Sequence, residues 1–384
     1  MENLKNCIKK NLDWFINSGV MVPENGLWGV AERLAVKSGN RALELILESF
    51  PAWSDQDDCY VIEQRRADCN FQTAWLFLKA EKLFPGNGYG DIGKNILDFL
   101  YFRSGLLERN PDAPIPANWN WSHIKQESTV YFDDEAWCIL IQLNIAGEFP
   151  ELDRKYQMRK WAYRLAESLY AGVMDKENKV NWRGNLQLPH WGALAAMALA
   201  QAATDETRKK YQKFCLDYFT NLTCPNVSED AYALIGAVNC ALKLDKEIFF
   251  PIAKKHADTL ISKFDPDNGF PPSEHARETP TGKNLVDTIY TVNWSLLGLR
   301  EFGLIAGKEY SAYADKLIAL LCRIQDTADN KHFYGCWRGM FDINTGSWGG
   351  GDLFEGGGNS IYTGWTNAPI SLCFLHEYDH ASMF

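Results

Sequence analysis

The chain has 384 residues, 46% of them hydrophobic and 23% charged, an ordinary globular composition with room for one large domain or several smaller ones. A net charge of −10 without a basic patch speaks against a nucleic-acid partner, and no run of about 18 apolar residues offers a membrane span. The ten cysteines form no CxxC pair, and several lie within apolar helical patterns, as expected of free buried thiols in a reducing compartment.

In chain order, two kinds of helical segment alternate. Residues 2–18 are amphipathic and charged, without the apolar core of a signal peptide. Residues 67–82 are apolar nearly all round, 90–107 amphipathic and 132–147 apolar. The alternation runs on through 152–174, 189–203, 205–222, 228–242, 246–263, 285–302, 308–325 and 360–376, and convincing strands are nearly absent. In 152–174, Tyr156, Trp161, Leu165 and Leu169 make one stripe; HWGALAAMALAQAA, from His190, is apolar on every side and must be surrounded by protein.

Six enclosed helices alternating with six half-exposed ones predict an all-α fold of two concentric rings, a single domain over residues 1–384. Residues 2–18 would close the ring against 360–376. A solenoid of helix pairs is the alternative architecture. Related turns follow the amphipathic helices: PENGLWG (23–29), DKENKVNWRG (175–184), DPDNGFPPS (265–273) and DNKHFYGCWRG (329–339).

This order resembles the (α/α)6 toroid of the six-hairpin glycosidase superfamily. That group includes unsaturated glucuronyl and rhamnogalacturonyl hydrolases, α-1,6-mannanases and the N-acylglucosamine 2-epimerase family. NGLWG is similar to a turn common in such repeats. YFDDEAW (131–137) resembles the paired-aspartate motif of the mannanases and, more loosely, the aspartate that opens an inner helix in the glucuronyl hydrolases.

In a closed ring of hairpins, inner-helix N-termini gather at one funnel, where exposed N–H groups and the helix dipole favour carboxylates. Asp133, Asp134 and Glu135 stand at one such start. A plain helix-capping role is one reading. Catalysis is the other, because glycoside hydrolysis needs one carboxyl that donates a proton and another that stays ionised. Adjacent Asp133 and Asp134 repel, which splits their pKa values, yet they point about 100° apart on a helix. An opposing acid is therefore expected from Asp287 or Glu355. The mannanase resemblance would instead give both roles to Asp133 and Asp134.

Substrate contacts are expected at other helix starts, from Arg66 and Asp68 and from His190 and Trp191. His275 stands in a polar loop before another inner helix. Two Trp-Arg-Gly turns offer Trp182, Arg183, Trp337 and Arg338. The glycine-rich loop 335–369 holds Trp348, Tyr362, Trp365 and Asn367 as a wall or lid. The HxxxH spacing of His376 and His380 stands at the end of the last helical segment and no catalytic zinc is expected; DINTG (342–346) lacks the glutamate of a calcium loop, and no cofactor is expected. GGGDLFEGGG lacks the lysine of a phosphate cradle.

The expected function is a cytoplasmic glycoside hydrolase acting on an oligosaccharide. A sugar epimerase or isomerase using His190 and His275, a lyase using Arg183, Arg338 and Asn367, and a non-catalytic scaffold are the rivals.

Overall fold

The computed structural model describes residues 1–22, 25–39, 41–50, 52–124, 129–274, 284–350 and 357–384. The described elements begin with α1 (Glu2–Asn17), β1 (Arg33–Val36), α2 (Arg41–Ser49), β2 (Trp53–Asp55), β3 (Cys59–Ile62), α3 (Ala67–Leu83) and α4 (Tyr89–Asp98). Next come α5 (Phe132–Glu148), α6 (Pro150–Tyr156), α7 (Met158–Met174), α8 (Pro189–Gln201), α9 (Arg208–Thr220), α10 (Val227–Lys243) and α11 (Lys246–Ser262). The chain ends with β4 (Leu285–Asp287), α12 (Val292–Ala306), α13 (Lys308–Ile324), β5 (Met340–Asp342), β6 (Ser347–Trp348), β7 (Ser360–Tyr362) and α14 (Ala368–Tyr378). No helix among the described residues is long and apolar enough to cross a membrane.

Two units interleave along the sequence. The first comprises Met1–Arg103, Lys263–Leu296 and Ala312–Ala381. In it α1 buries Leu4, Ile8, Leu12 and Phe15, one helical turn apart, and packs on α14 as expected. The seam also buries Asn11, whose amide donates to Gly335 O at 3.0 Å and Asn367 Oδ1 at 2.8 Å, while Ser371 donates to its Oδ1 at 2.7 Å. Helix α3 is buried from Ala67 to Ala80. Gly93 lets α4 lie against it, because a Cβ there would meet Leu78 Cγ at 2.8 Å and Ala74 O at 3.0 Å.

Two small antiparallel sheets also belong to this unit, ordered β2-β3-β1-β7 and β4-β5-β6. They correct the expectation of an almost strand-free chain. The helix expected over 285–302 starts only at Val292, and that expected over 360–376 starts at Ala368 after β7 and a π-helical turn, Thr363–Asn367. Helix α4 likewise gives way to a π turn over Phe99–Arg103 and stops short of residue 107.

The second unit comprises Ser104–Ser262, Leu297–Ser311 and Ser382–Phe384. Buried helices α5, α8 and α10 alternate with amphipathic α7, α9 and α11. The segment expected as one helix over 152–174 breaks into α6 and α7 at Gln157, whose φ of 57° is left-handed. On α7, Trp161, Leu165 and Leu169 are buried, each stabilising by roughly 1.5–3 kcal/mol. The small residues of α8 admit close neighbours: a Cβ on Gly236 of α10 would fall under 3.0 Å from Ala193 O, and Asn239 Nδ2 donates to Met197 O at 2.9 Å.

Candidate functional site

In the second unit the Trp182-Arg183-Gly184 turn sets the geometry at the start of α5. Arg183 N donates to Val130 O at 2.8 Å and Phe132 N to Arg183 O at 3.2 Å, joining the turn to the segment that opens α5. Trp182 stacks on Phe132 with centroids 4.8 Å apart, and Asn178 clasps it by accepting from Trp182 N and donating to Trp182 O, both at 2.7 Å. The turn needs glycine at Gly184, where φ is +113° and a Cβ would strike the Trp191 indole. Arg183 itself is exposed.

All three acids at the start of α5 are buried. Glu135 accepts from Trp119 N at 2.8 Å, which fixes the preceding loop. Asp133 places Oδ2 3.0 Å from His190 Nε2, an ion-pair distance, although the carboxylate lies off the line of a well-formed hydrogen bond. Its Oδ1 is buried without a hydrogen-bond partner among the described residues. Such an oxygen costs about 1–3 kcal/mol unless something pairs with it.

His190 follows Pro189 at the first turn of α8. Its backbone N–H donates to Glu229 Oε2 at 2.7 Å, so an acid from α10 answers the exposed N–H groups of α8. Asn226 caps α10 in turn, accepting from Glu229 N at 3.1 Å. The imidazole lies between two rings, Trp191 at 4.7 Å and 12° and Tyr232 at 4.7 Å and 4°. Its side chain is 19% exposed, although Nε2 itself is buried. Burial, helped by the charge of Glu229, pushes the neighbouring Tyr218 phenol well above its usual value. The chemistry available is proton exchange between an imidazole and a carboxyl at a helix N-terminus.

Asp133, Arg183, His190 and Trp191 are thus brought to one neighbourhood, with Asp134 buried beside them in the first turn of α5. Tyr232 is the residue that sequence reasoning missed; it sits within the apolar run DAYALIGAV, where nothing marks it. Trp182, expected to face substrate, is 2% exposed and serves as the anchor under α5.

The first unit gathers Arg66 and Asp68 as a bidentate pair at 3.2 and 3.1 Å, with Glu32 Oε1 3.1 Å from Arg66 Nη1 and the Trp365 ring 5.6 Å from the guanidinium. Glu32 was not singled out by the sequence. Arg33 lies 4.2 Å over Tyr362. Asp287, expected as a catalytic acid, is fully buried: Oδ1 accepts from Ile289 N and Tyr290 N at 2.9 and 2.8 Å, and Oδ2 from Ser273 at 3.3 Å. It is a turn cap. Trp337 is fully buried, its indole donating to Leu321 O at 2.8 Å, and offers no face to a sugar. Asn367 is also fully buried, holding Trp337 N and O and Tyr362 O. Arg338 is bound to Asp326 at 2.8 and 2.7 Å, and Trp348 packs on Phe341 at 5.1 Å. Glu355 and His275 lie outside the described residues. One group of metal-ligating side chains, Cys224, Asp230 and His256, stands in the second unit.

No family model matches the chain, and no curated protein matches it. Solved structures do match. A cellobiose 2-epimerase from Bacillus thermoamylovorans superposes with a TM-score of 0.66 at 9% identity, covering 98% of this chain and 100% of that one. An unsaturated glucuronyl hydrolase specific for heparin gives 0.61 at 10% identity, covering 100% and 99%. A family 76 glycoside hydrolase, a mannosidase from Bacteroides thetaiotaomicron, gives 0.57 at 10%, covering 98% and 99%. These likenesses establish the fold as the (α/α)6 toroid of six helical hairpins.

Proposed function

We infer that the chain is a carbohydrate-active enzyme, and that it is a glycoside hydrolase acting on an oligosaccharide through Asp133. The observation that carries this reading is the Asp133–His190 pair: a buried carboxylate with one oxygen toward an imidazole and the other without a partner among the described residues. As a carboxylic acid, Asp133 can donate a proton to a leaving glycosidic oxygen. Once Asp133 is ionised, the same site takes a proton back from water. A sugar hydroxyl or the glycosidic oxygen would pair with Oδ1 and remove the cost of burying it alone. The indole of Trp191 supplies an apolar face of the kind that sugar C–H groups stack on, and exposed Arg183 supplies donors beside it. The fold it shares with a glucuronyl hydrolase and a mannosidase agrees with this reading.

The second reading is a sugar epimerase or isomerase in which His190 removes the proton. It is favoured by the imidazole's own placement between two rings and by the fold shared with a cellobiose 2-epimerase. A panel of unsaturated uronyl disaccharides, mannosides, cellobiose and mannose, incubated in D2O, separates the two. On the mannosides and cellobiose, hydrolysis releases new reducing ends without carbon-bound deuterium; on any substrate, epimerisation leaves deuterium on carbon and releases no new reducing end. Full turnover by both Asp133→Asn and His190→Gln on the substrate found would overturn the assignment of this pair.

A further inference from the structure

We propose that Cys224, Asp230 and His256 bind a zinc ion through Sγ, a carboxylate oxygen and Nδ1, with a water in the fourth position. Cys224 lies in the loop after α9, Asp230 in the first turn of α10, and His256 on α11. The three donor atoms lie within 4.8 Å of one another. Cys224 Sγ is 3.8 Å and Asp230 Oδ1 3.7 Å from His256 Nδ1. In a zinc tetrahedron with Zn–S of about 2.3 Å and Zn–N or Zn–O of about 2.0–2.1 Å, the edges are about 3.3–3.6 Å. These two separations sit about 0.1–0.2 Å above that range. The Asp230 to His256 separation is too long for a good N–H···O hydrogen bond.

The same distances argue against the other use of such a trio. A cysteine–histidine–aspartate triad places the nucleophile on one ring nitrogen and the acid on the other. Here both partners face Nδ1, and one nitrogen with one proton or one lone pair serves only one of them. A cation between the three takes one donor atom from each. Asp230 is 1% and His256 4% exposed, whereas Cys224 is half-buried, which leaves a way in for the ion and its water. Mixed sulfur, nitrogen and oxygen donors suit zinc better than calcium or magnesium. Binding releases the Cys224 thiol proton. It ties the 221–226 loop and α11 to the start of α10, one residue from Glu229, whose carboxylate holds His190 N.

The test uses full-length protein stripped with a chelator and titrated with Zn2+, then with Co2+ as a spectroscopic substitute. We expect one ion per chain, a rise in melting temperature with zinc, and a thiolate-to-cobalt charge-transfer band. Cys224→Ser should abolish the band, and Asp230→Asn and His256→Gln should weaken zinc binding about 100-fold or more. The exposed His380→Gln should change nothing. Substoichiometric zinc in the wild type, or a cobalt complex without the charge-transfer band, overturns the site, and neither result depends on any variant folding. Equal zinc affinity in the His256→Gln variant overturns it as well.

Discussion

One substitution made at two positions should change stability in opposite directions. Gly147 lies near the end of α5, where a Cβ would meet no neighbouring heavy atom within 4 Å and φ is not left-handed. Alanine there gains helix propensity and narrows the unfolded ensemble, so Gly147→Ala should stabilise by about 0.5–1 kcal/mol. Gly236 lies on α10 against α8, where a Cβ would fall under 3.0 Å from Ala193 O and 3.1 Å from Ala193 C and Cβ. Backbone cannot rotate away as a side chain can, so the helices must part. Overpacking of this kind costs about 1–3 kcal/mol, and the propensity gain returns at most about 1. Gly236→Ala should therefore lose about 1–2 kcal/mol, a few degrees in melting temperature. Parting α8 from α10 should also disturb the stack of His190 on Tyr232, lowering turnover on the true substrate. Thermal melts of both variants, with activity measured well below the transition, check this. A Gly236→Ala protein at least as stable as wild type would refute the claim that backbone contact sets the α8–α10 spacing.

Asp133→Asn should fold normally and lose about 10²-fold or more in turnover; an unchanged melt with full activity would leave the α5 acids as helix-start residues only. Asn367→Ala strands the Trp337 and Tyr362 backbone groups and should cost at least about 2–3 kcal/mol by denaturant titration. Burial raises the Glu301 carboxyl above its usual range, against the opposing pull of Arg300, Ser382 and Met383 N. A raised acid binds its proton more tightly in the folded state. Its stabilising share is thus full below the unfolded value of about 4.3 and is lost as pH climbs through the folded value. Glu301→Gln should flatten that fall in melts run from pH 4 upward; an unchanged slope would place the titration elsewhere.

The helical order was legible because period 3.6 leaves its mark over 15 residues, as in Trp161, Leu165 and Leu169. So was the gathering of acids, His190 and Trp191 at helix starts, because capping chemistry and site chemistry both draw polar groups there. The strands were not: at two to four residues they are too short to show alternation. The break at Gln157 carries neither glycine nor proline. Asp287 shows a deeper limit. A turn-capping aspartate and a catalytic one are the same letter, and only the direction of their hydrogen bonds separates them. Tyr232 was hidden for the converse reason, as an aromatic in an apolar helix looks like core. Cys224, Asp230 and His256 are 6 and 26 residues apart, a spacing no metal motif prepares for.

The seam between α1 and α14 bears on how the chain is made. Asn11 bonds to Asn367 and Ser371, partners 356 and 360 residues downstream. At about 5–20 residues per second, α1 leaves the ribosome roughly 20–70 s before α14 exists. Through that interval the stripe of Leu4, Ile8, Leu12 and Phe15 lacks the part of its cover that α14 supplies. Ser104–Ser262, by contrast, is one continuous stretch whose helices α5 to α11 pack on near neighbours in sequence, so it has its contacts to hand as it emerges. Helix α1, made well before α14, waits longest for that partner, and chaperones that hold exposed apolar stripes have a long opportunity at residues 2–17.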